Sequence, residues 1–205
     1  MTSSVSSPSA TTIQKRKALH TFTKELRERT KTKSNKKIEE HLLALPNQFP
    51  YNEMLFDGKL RLGNYIVKTR SYDPGFRGPT LLYTSGKIAA ATAEAHGYNP
   101  KEYVRPAIVG VGDLKFVREL NEGELESLLL QFNNATSLNE VYDRDEWIEP
   151  LPYGLFFQRL KKFDNPIEFV AEPGPVRAVK VPVDKVADAL GKNGIEVVGN
   201  KLIYL

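Results

Sequence analysis

The chain contains no cysteine, and its other special residues are scarce: one tryptophan, two methionines and three histidines among 205 residues. The lack of cysteine excludes disulfides, thiolate metal ligands and cysteine nucleophiles. The histidines His20, His41 and His96 are scattered without ligand spacing, so we expect no metal site and no cofactor. No run approaches about 18 consecutive apolar residues, so we expect no transmembrane helix and no membrane partner.

Positive charge is concentrated in the first quarter of the chain. The formal net charge is +4, yet residues 1–50 carry ten Lys and Arg residues against four acids, and the remainder is slightly acidic. A basic arm on a nearly neutral body favours attachment to a polyanion, with Lys15, Arg16 and Lys17 as phosphate contacts. The alternative is a generic solvated arm. The few acids and many hydroxyls of this segment also allow organelle targeting as an alternative to an intracellular, cytoplasmic location.

Two parts of the N-terminal segment differ in pattern. Residues 1–12 are rich in Ser and Thr and are predicted to be disordered. Residues 13–45 are predicted to form a basic helical arm. Its first helix places apolar residues on one face, and a second, short helix ends before Pro46. The apolar residues of these two helices are Leu19, Phe22 and Leu26, then Ile38, Leu42 and Leu43.

From residue 51 the pattern changes to short strands and turns, and residues 51–183 are predicted to form the main domain. The predicted strands are Lys59–Thr69, Thr80–Thr84, the start of Ala107–Leu120, Tyr153–Leu160 and Val176–Val183. The predicted helices are Ile88–Ala95, closed by Gly97, and Glu124–Phe132, with Leu125, Leu128 and Leu129 inward. Short strands with few helices between them indicate a mixed α/β (α+β) fold built on a small β-barrel with flanking helices.

Two further segments complete the predicted domain organisation. Residues 119–149 hold nine acids and one base, so they form an acidic insertion that offers a surface for protein partners, as does the arm. Residues 184–205 are predicted to form a helix capped by Asp184, followed by a hairpin around Gly199-Asn200.

The segment from Gly63 to Lys87 carries the strongest functional signal. It interleaves cations with aromatic rings and contains a single acid, Asp73. Guanidinium groups bind phosphates, and aromatic side chains stack on bases, so this pattern predicts nucleic-acid binding. RNA is the expected ligand, with DNA as the alternative. The candidate contacts are Lys68, Arg70, Tyr72, Arg77 and Lys87.

The same segment resembles the ASCH domain, the activating-signal-cointegrator homology domain. Arg70-Ser71-Tyr72 and Phe76–Pro79 match two successive steps of the family pattern, and Ala107–Leu114 resembles its later apolar strand. The resemblance covers roughly residues 59–181. It implies a PUA-like β-barrel whose cleft takes RNA or modified nucleosides, and it adds Ser71 to the candidate nucleic-acid contacts.

The chain departs from the family pattern at two positions. Tyr65 stands where the pattern has lysine, and Lys68 stands where it has a carboxylate. An acid can accept a proton or polarise water, whereas lysine at that place mainly adds positive charge. We therefore predict binding without catalysis and assign no catalytic residue. The alternative is a small hydrolase or ribonuclease acting on RNA or a modified nucleoside, with Lys68 as a lysine of depressed pKa.

Structural roles are the alternative for each candidate. Arg70 and Arg77 could pair with Asp73 or Asp113 and so stabilise corners of the fold, and Tyr72 could be a half-buried aromatic of the barrel. A third hypothesis makes the chain a structural subunit of a ribonucleoprotein or phage-type assembly, in which the arm and the acidic insertion dock on partners.

Overall fold

The computed structural model describes residues 40–103, 105–133, 152–172, 177–199 and 201–205. Its strands in these ranges are β1 (His41–Phe49), β2 (Arg61–Leu62), β3 (Tyr65–Arg70), β4 (Gly78–Ile88), β5 (Ala107–Glu119), β6 (Tyr153–Glu168), β7 (Val179–Pro182), β8 (Ile195–Val198) and β9 (Lys201–Tyr204). Its α-helices there are α1 (Tyr51–Phe56), α2 (Ala90–Ala95), α3 (Glu122–Asn133) and α4 (Val183–Lys192). The mixed α/β class predicted from the sequence is confirmed.

Seven strands form one sheet in the order β2-β3-β6-β5-β4-β1-β7, and β8 and β9 form a separate hairpin. The pair β1–β4 is parallel, whereas the other six pairings are antiparallel. The ladder is open in the described residues, because β2 and β7 lie at opposite ends of it. The prediction of a closed barrel is therefore wrong for the described residues, whose strands form an open sheet.

The sheet is nevertheless curled. Strands β5 and β6 pair along almost their whole length, and their register shifts three times. Such irregularities bend strands and increase their twist. The curl brings β3, second from one end, against β1, second from the other, where the Arg70 side chain of β3 reaches Pro46 and Asn47 of β1. Side-chain contacts, and not a strand ladder, span this gap.

Apolar residues fill both sides of the curled sheet. One core cluster joins β1, β4 and β5 to α4 and the C-terminal hairpin, with Val186, Leu190 and Leu202 buried in it. A second cluster lies under α1, which contributes the buried Leu55. Because the hairpin and α4 complete the first cluster, residues 40–205 form one compact unit.

Strand β1 corrects the prediction of a short helix carrying Leu42 and Leu43. His41–Phe49 is extended, and Leu42, Ala44 and Leu45 are almost completely buried. A strand that is buried on both faces has a continuous run of apolar residues in its sequence. Periodicity alone does not distinguish such a run from a helix. Residues 41–45 therefore belong to the sheet and not to the arm.

The elements after β3 agree more closely with the sequence. Helix α3 buries Leu125, Leu128 and Leu129, as predicted from their spacing. Val198 pairs with Lys201, so the predicted C-terminal hairpin is present. Asp184, however, lies in the first turn of α4 and does not cap it; Pro182 occupies the N-cap position without a side-chain hydrogen bond.

Several predictions fall outside the described residues. They are the predicted disorder of residues 1–12, the predicted helix beginning at Ile13, the predicted phosphate contacts Lys15, Arg16 and Lys17, and the second half of the predicted acidic insertion, 134–149. The first half of that insertion forms the end of β5 and helix α3.

Substitutions at two leucines of β1 test whether this segment is a strand or a helix. Leu45→Ala should destabilise the fold by about 2–5 kcal/mol, because it removes a fully buried side chain from the core. Leu43→Ala is the matched control: its side chain is 36 % exposed, so we expect a loss under about 1 kcal/mol. Equilibrium denaturation at constant m-value measures both, and equal losses would contradict the strand assignment.

Candidate nucleic-acid interface

Arg70, at the end of β3, is directed across the gap in the sheet. Its Nη2 donates to the carbonyl oxygen of Pro46 and, over 2.8 Å, to Oδ1 of Asn47, while Nη1 donates to the hydroxyl of Tyr72 over 2.8 Å. Burial lowers the pKa of this guanidinium, and the neighbouring Tyr72 partly offsets that effect. Arg70 therefore has a structural role, but with partners other than the acids Asp73 and Asp113 that the sequence suggested.

A buried polar network fixes the acceptor that Arg70 uses. Asn47 donates to Oδ1 of Asn52, and Asn52 donates to Oγ1 of Thr84 over 2.9 Å. The three side chains are at most 5 % exposed, so each amide must find its partners inside the protein. The network joins β1, α1 and β4, and it holds the Asn47 oxygen toward Arg70.

Two guanidinium groups lie near the ring of Tyr72. The Cζ atom of Arg70 is 5.6 Å from the centre of its ring, and that of Arg177 is 5.5 Å away. Both distances are within the range of cation–π attraction. Arg177 is exposed, so its charge is available to a ligand. This arrangement combines a planar ring with two positive charges at one place on the surface.

Lys68 lies two residues before Arg70 on the same strand and lines an apolar pocket of about 190 Å³. Its Nζ atom is 4.5 Å from the centre of the Tyr51 ring, at the start of α1. The described residues that line the pocket include Met54, Leu55 and Leu128 and no carboxylate. Burial, with a smaller contribution from Arg70, lowers the pKa of the Lys68 amine to about 7.

Arg77 is engaged in a turn. Two of its nitrogens donate to the two carboxylate oxygens of Asp73 over 2.9 and 2.7 Å, and Asp73 also accepts from the backbone of Gly75. The hydrogen bonds from Arg77 lower the pKa of Asp73. The structural alternative, a pair between Arg77 and Asp73, is confirmed.

The remaining predicted contacts lie apart from this group. Ser71 is exposed next to Tyr72, and Lys87 is exposed near the end of β4. The structure thus brings together Lys68, Arg70 and Tyr72. It adds residues that sequence reasoning missed, namely Arg177, Tyr51, Asn47 and Asn52, which are distant in sequence from the Gly63–Lys87 segment or precede it.

Among the described residues, no three His, Asp or Glu side chains are grouped so that they could hold a metal ion. Nor does the described part contain a helix both long and apolar enough to cross a bilayer.

A scan against protein-family models and a search of curated proteins both give no match to this chain. Membership of the ASCH family therefore stays a hypothesis based on the residues quoted above.

Removing Arg70 tests its structural role. Arg70→Ala should cost about 1–3 kcal/mol of stability, because it leaves buried acceptors on Pro46 and Asn47 without a donor. Arg77→Ala is the matched control and should cost no more than about 1 kcal/mol, since its ion pair with Asp73 is about one-third exposed. Urea denaturation measures both. Similar costs would show that the bridge from β3 to β1 adds nothing beyond a surface ion pair.

The Lys68 amine predicts a particular pH dependence of stability. Its pKa falls from 10.5 to about 7 on folding, so the unfolded chain binds more protons between these values, and stability should rise with pH across that window. Lys68→Met removes the titrating group. Its stability advantage over the wild type should be full below pH 7 and shrink toward pH 10, by at most about 1.4 kcal/mol per pH unit.

Lys87→Met is the control for this series, because Lys87 is exposed. We expect its stability relative to the wild type to be constant across the same pH range. If the stability difference between Lys68→Met and the wild type is also constant across this pH range, folding does not lower the pKa of the Lys68 amine.

Proposed function

We propose that the chain is an RNA-binding protein of the ASCH, PUA-like type and that it binds without catalysis. The observation that carries the proposal is that the guanidinium groups of Arg70 and Arg177 both lie within 5.6 Å of the centre of the Tyr72 ring. A single-stranded polyanion with planar bases uses both features, because phosphates pair with guanidinium groups and a base stacks on the ring.

Each residue then has a distinct part in binding. Arg70 holds Tyr72 through the hydrogen bond to its hydroxyl and keeps a positive charge beneath the ligand. Arg177 is exposed and contacts phosphate. Lys68 lines the neighbouring pocket, where an anion would draw a proton onto the amine. The residues Lys15, Arg16 and Lys17 of the arm add phosphate contacts.

Hydrolysis of RNA or of a modified nucleoside is the second candidate function. It is favoured by one observation: an amine whose pKa is about 7 can act as a general base near neutral pH, and Lys68 lines a pocket together with Thr69. The lack of a carboxylate among the described residues that line this pocket argues for binding as the main activity.

Substitutions of Tyr72 and Arg177 should affect RNA binding in different ways. Tyr72→Leu should weaken binding of single-stranded RNA by about 1–3 kcal/mol without changing its salt dependence, since it removes stacking and no charge. Arg177→Ala should weaken binding and lower the slope of log K against log salt by about 0.7, the value for one phosphate contact on a single strand. Fluorescence anisotropy across a salt series measures both quantities.

Arg105→Ala is the control, since it also removes an exposed arginine, but one that pairs with Glu168. It should bind RNA like the wild type. Replacing Lys15, Arg16 and Lys17 together by Ala measures how much the arm contributes to RNA binding. Equal binding by all variants, or no RNA binding by the wild type, would refute the interface. The latter result would favour the hypothesis of an assembly subunit.

The same mixtures distinguish RNA from DNA and binding from catalysis. A single-stranded DNA of the same sequence serves as competitor, and equal competition would make the ligand nucleic acid in general. Cleavage or base-modification products that disappear in Lys68→Met would establish the hydrolase instead.

A further inference from the structure

Hydrocarbon forms most of the pocket that Lys68 lines, which we call the Lys68 pocket. Two helices supply most of its apolar lining, including Met54 and Leu55 of α1 and Leu125, Leu128 and Phe132 of α3. Its volume of about 190 Å³ lies below the roughly 300–1,000 Å³ that is typical of pockets for drug-sized ligands. A molecule that fits the Lys68 pocket is therefore small and largely apolar.

Every polar side chain in the described lining of the Lys68 pocket can donate a hydrogen bond. Lys68 carries an amine, and Tyr51 and Thr69 carry hydroxyl groups. None of the described lining residues carries a carboxylate. Because donors that are removed from water need acceptors, the polar end of a matching ligand is an acceptor and not a cation.

The Lys68 amine is the donor that most needs a partner. No acceptor among the described residues takes a hydrogen bond from it, and its contact is the face of the Tyr51 ring, 4.5 Å from Nζ to the ring centre. The Lys68 side chain is partly exposed, and Nζ is not one of the polar atoms sealed inside the described part of the protein. A molecule in the pocket can therefore reach this amine.

The electrostatic surroundings of the amine favour a single negative charge. Arg70 is the charged group that acts on Lys68, and its like charge, together with burial, disfavours the ammonium form. An anion in the pocket would offset both effects. A phosphate monoester carries nearly two negative charges and would leave charge unpaired among apolar side chains, which is costly. A carboxylate matches the single ammonium group better.

We propose that the Lys68 pocket binds a small monocarboxylate with a hydrocarbon body. The carboxylate accepts from the Lys68 ammonium group, and the carbon chain contacts the apolar side chains of α1 and α3. The proposal goes beyond the RNA interface and does not rest on it, because neither Tyr72 nor Arg177 lines this pocket.

Titration calorimetry of the full chain with hexanoate at about pH 6.5, without RNA, tests the proposal. We expect one saturable site. Lys68→Met keeps an extended apolar side chain but removes the amine, so it should weaken binding at least tenfold. Lys87→Met removes an exposed lysine and should leave the affinity unchanged. Absence of saturable binding by the wild type, or equal affinity in Lys68→Met, would overturn the proposal.

A variant carrying Tyr72→Leu and Arg177→Ala separates this site from the RNA interface. It should bind hexanoate like the wild type, while its RNA binding is weakened. Hexanoate binding by a wild type that does not bind RNA would refute the RNA interface and not this site. Loss of hexanoate binding in the double variant would overturn the proposal, since the site would then depend on residues outside the pocket.

Three related molecules test the two halves of the ligand separately. Hexanol has the same chain without the charge, acetate has the charge with almost no chain, and hexylammonium has the opposite charge. Each should bind at least tenfold more weakly than hexanoate, because each lacks the ion pair or the apolar contact. Equal binding of hexanol would show an apolar cavity only, equal binding of acetate would show surface ion pairing only, and either result would overturn the proposal.

The pH dependence supplies an independent readout. Hexanoate is ionised above about pH 5. Its affinity for the wild type should then fall as the pH rises above 7, by up to about tenfold per pH unit, because the free amine has lost the proton that the bound carboxylate requires. Binding in Lys68→Met should not show this fall. A constant affinity of the wild type from about pH 6 to 9 would overturn the proposal.

The other charged or titratable groups around the amine are Arg70 of β3 and Tyr51 of α1, whereas α3 lines the pocket with apolar side chains. Both groups remain in Lys68→Met, so that variant measures their contribution. An equal fall in affinity in the variant and in the wild type would assign the pH dependence to them and would contradict an ion pair with Lys68.

Discussion

A cation that is held without an acid joins the two sides of the curled sheet. Arg70 joins β3 to β1 across the open side of the ladder by donating to Pro46 and Asn47, where no strand pairing is available. Neutral acceptors stabilise the guanidinium only in part, as its lowered pKa indicates. The same side chain orients Tyr72 and contributes to the lowered pKa of Lys68. The closing of the fold and the electrostatics of its candidate interface therefore have one origin.

Helix α1 presents different chemistry on its two sides. Tyr51 and Glu53 are two residues apart, which corresponds to about 200° around a helix, so their side chains point to opposite sides. Tyr51 lies under the Lys68 amine, and Glu53 lines a separate cleft together with Glu102 and Glu168. Asn52 lies between them and belongs to the buried network with Asn47 and Thr84. One short helix thus supplies an aromatic ring to a cationic site, an amide to the core and a carboxylate to an acidic cleft.

Features that depend on neighbouring residues could be predicted from the sequence, whereas contacts between distant parts of the chain could not. Arg77 and Asp73 are four residues apart around a glycine turn, and their pair was among the alternatives drawn from the sequence. Helix α3 was recognised because its leucines recur at helical spacing. In contrast, the sequence of β1 predicts a helix, because burial on both faces hides the alternation that is typical of a strand. Arg177 reaches Tyr72 from a distant part of the chain, and no local pattern marks such a contact.

The amino-acid sequence by itself determined the mixed α/β class, the cluster of cations and aromatics between Gly63 and Lys87, and the local turns and hairpin. These depend on side-chain chemistry and on neighbours within a few residues. Only the tertiary structure decided which cations are exposed at the surface and which hold the fold together, because that depends on what lies opposite each side chain. Arg70 and Arg177 are the same residue type, yet one is directed into a buried amide network while the other is exposed beside Tyr72.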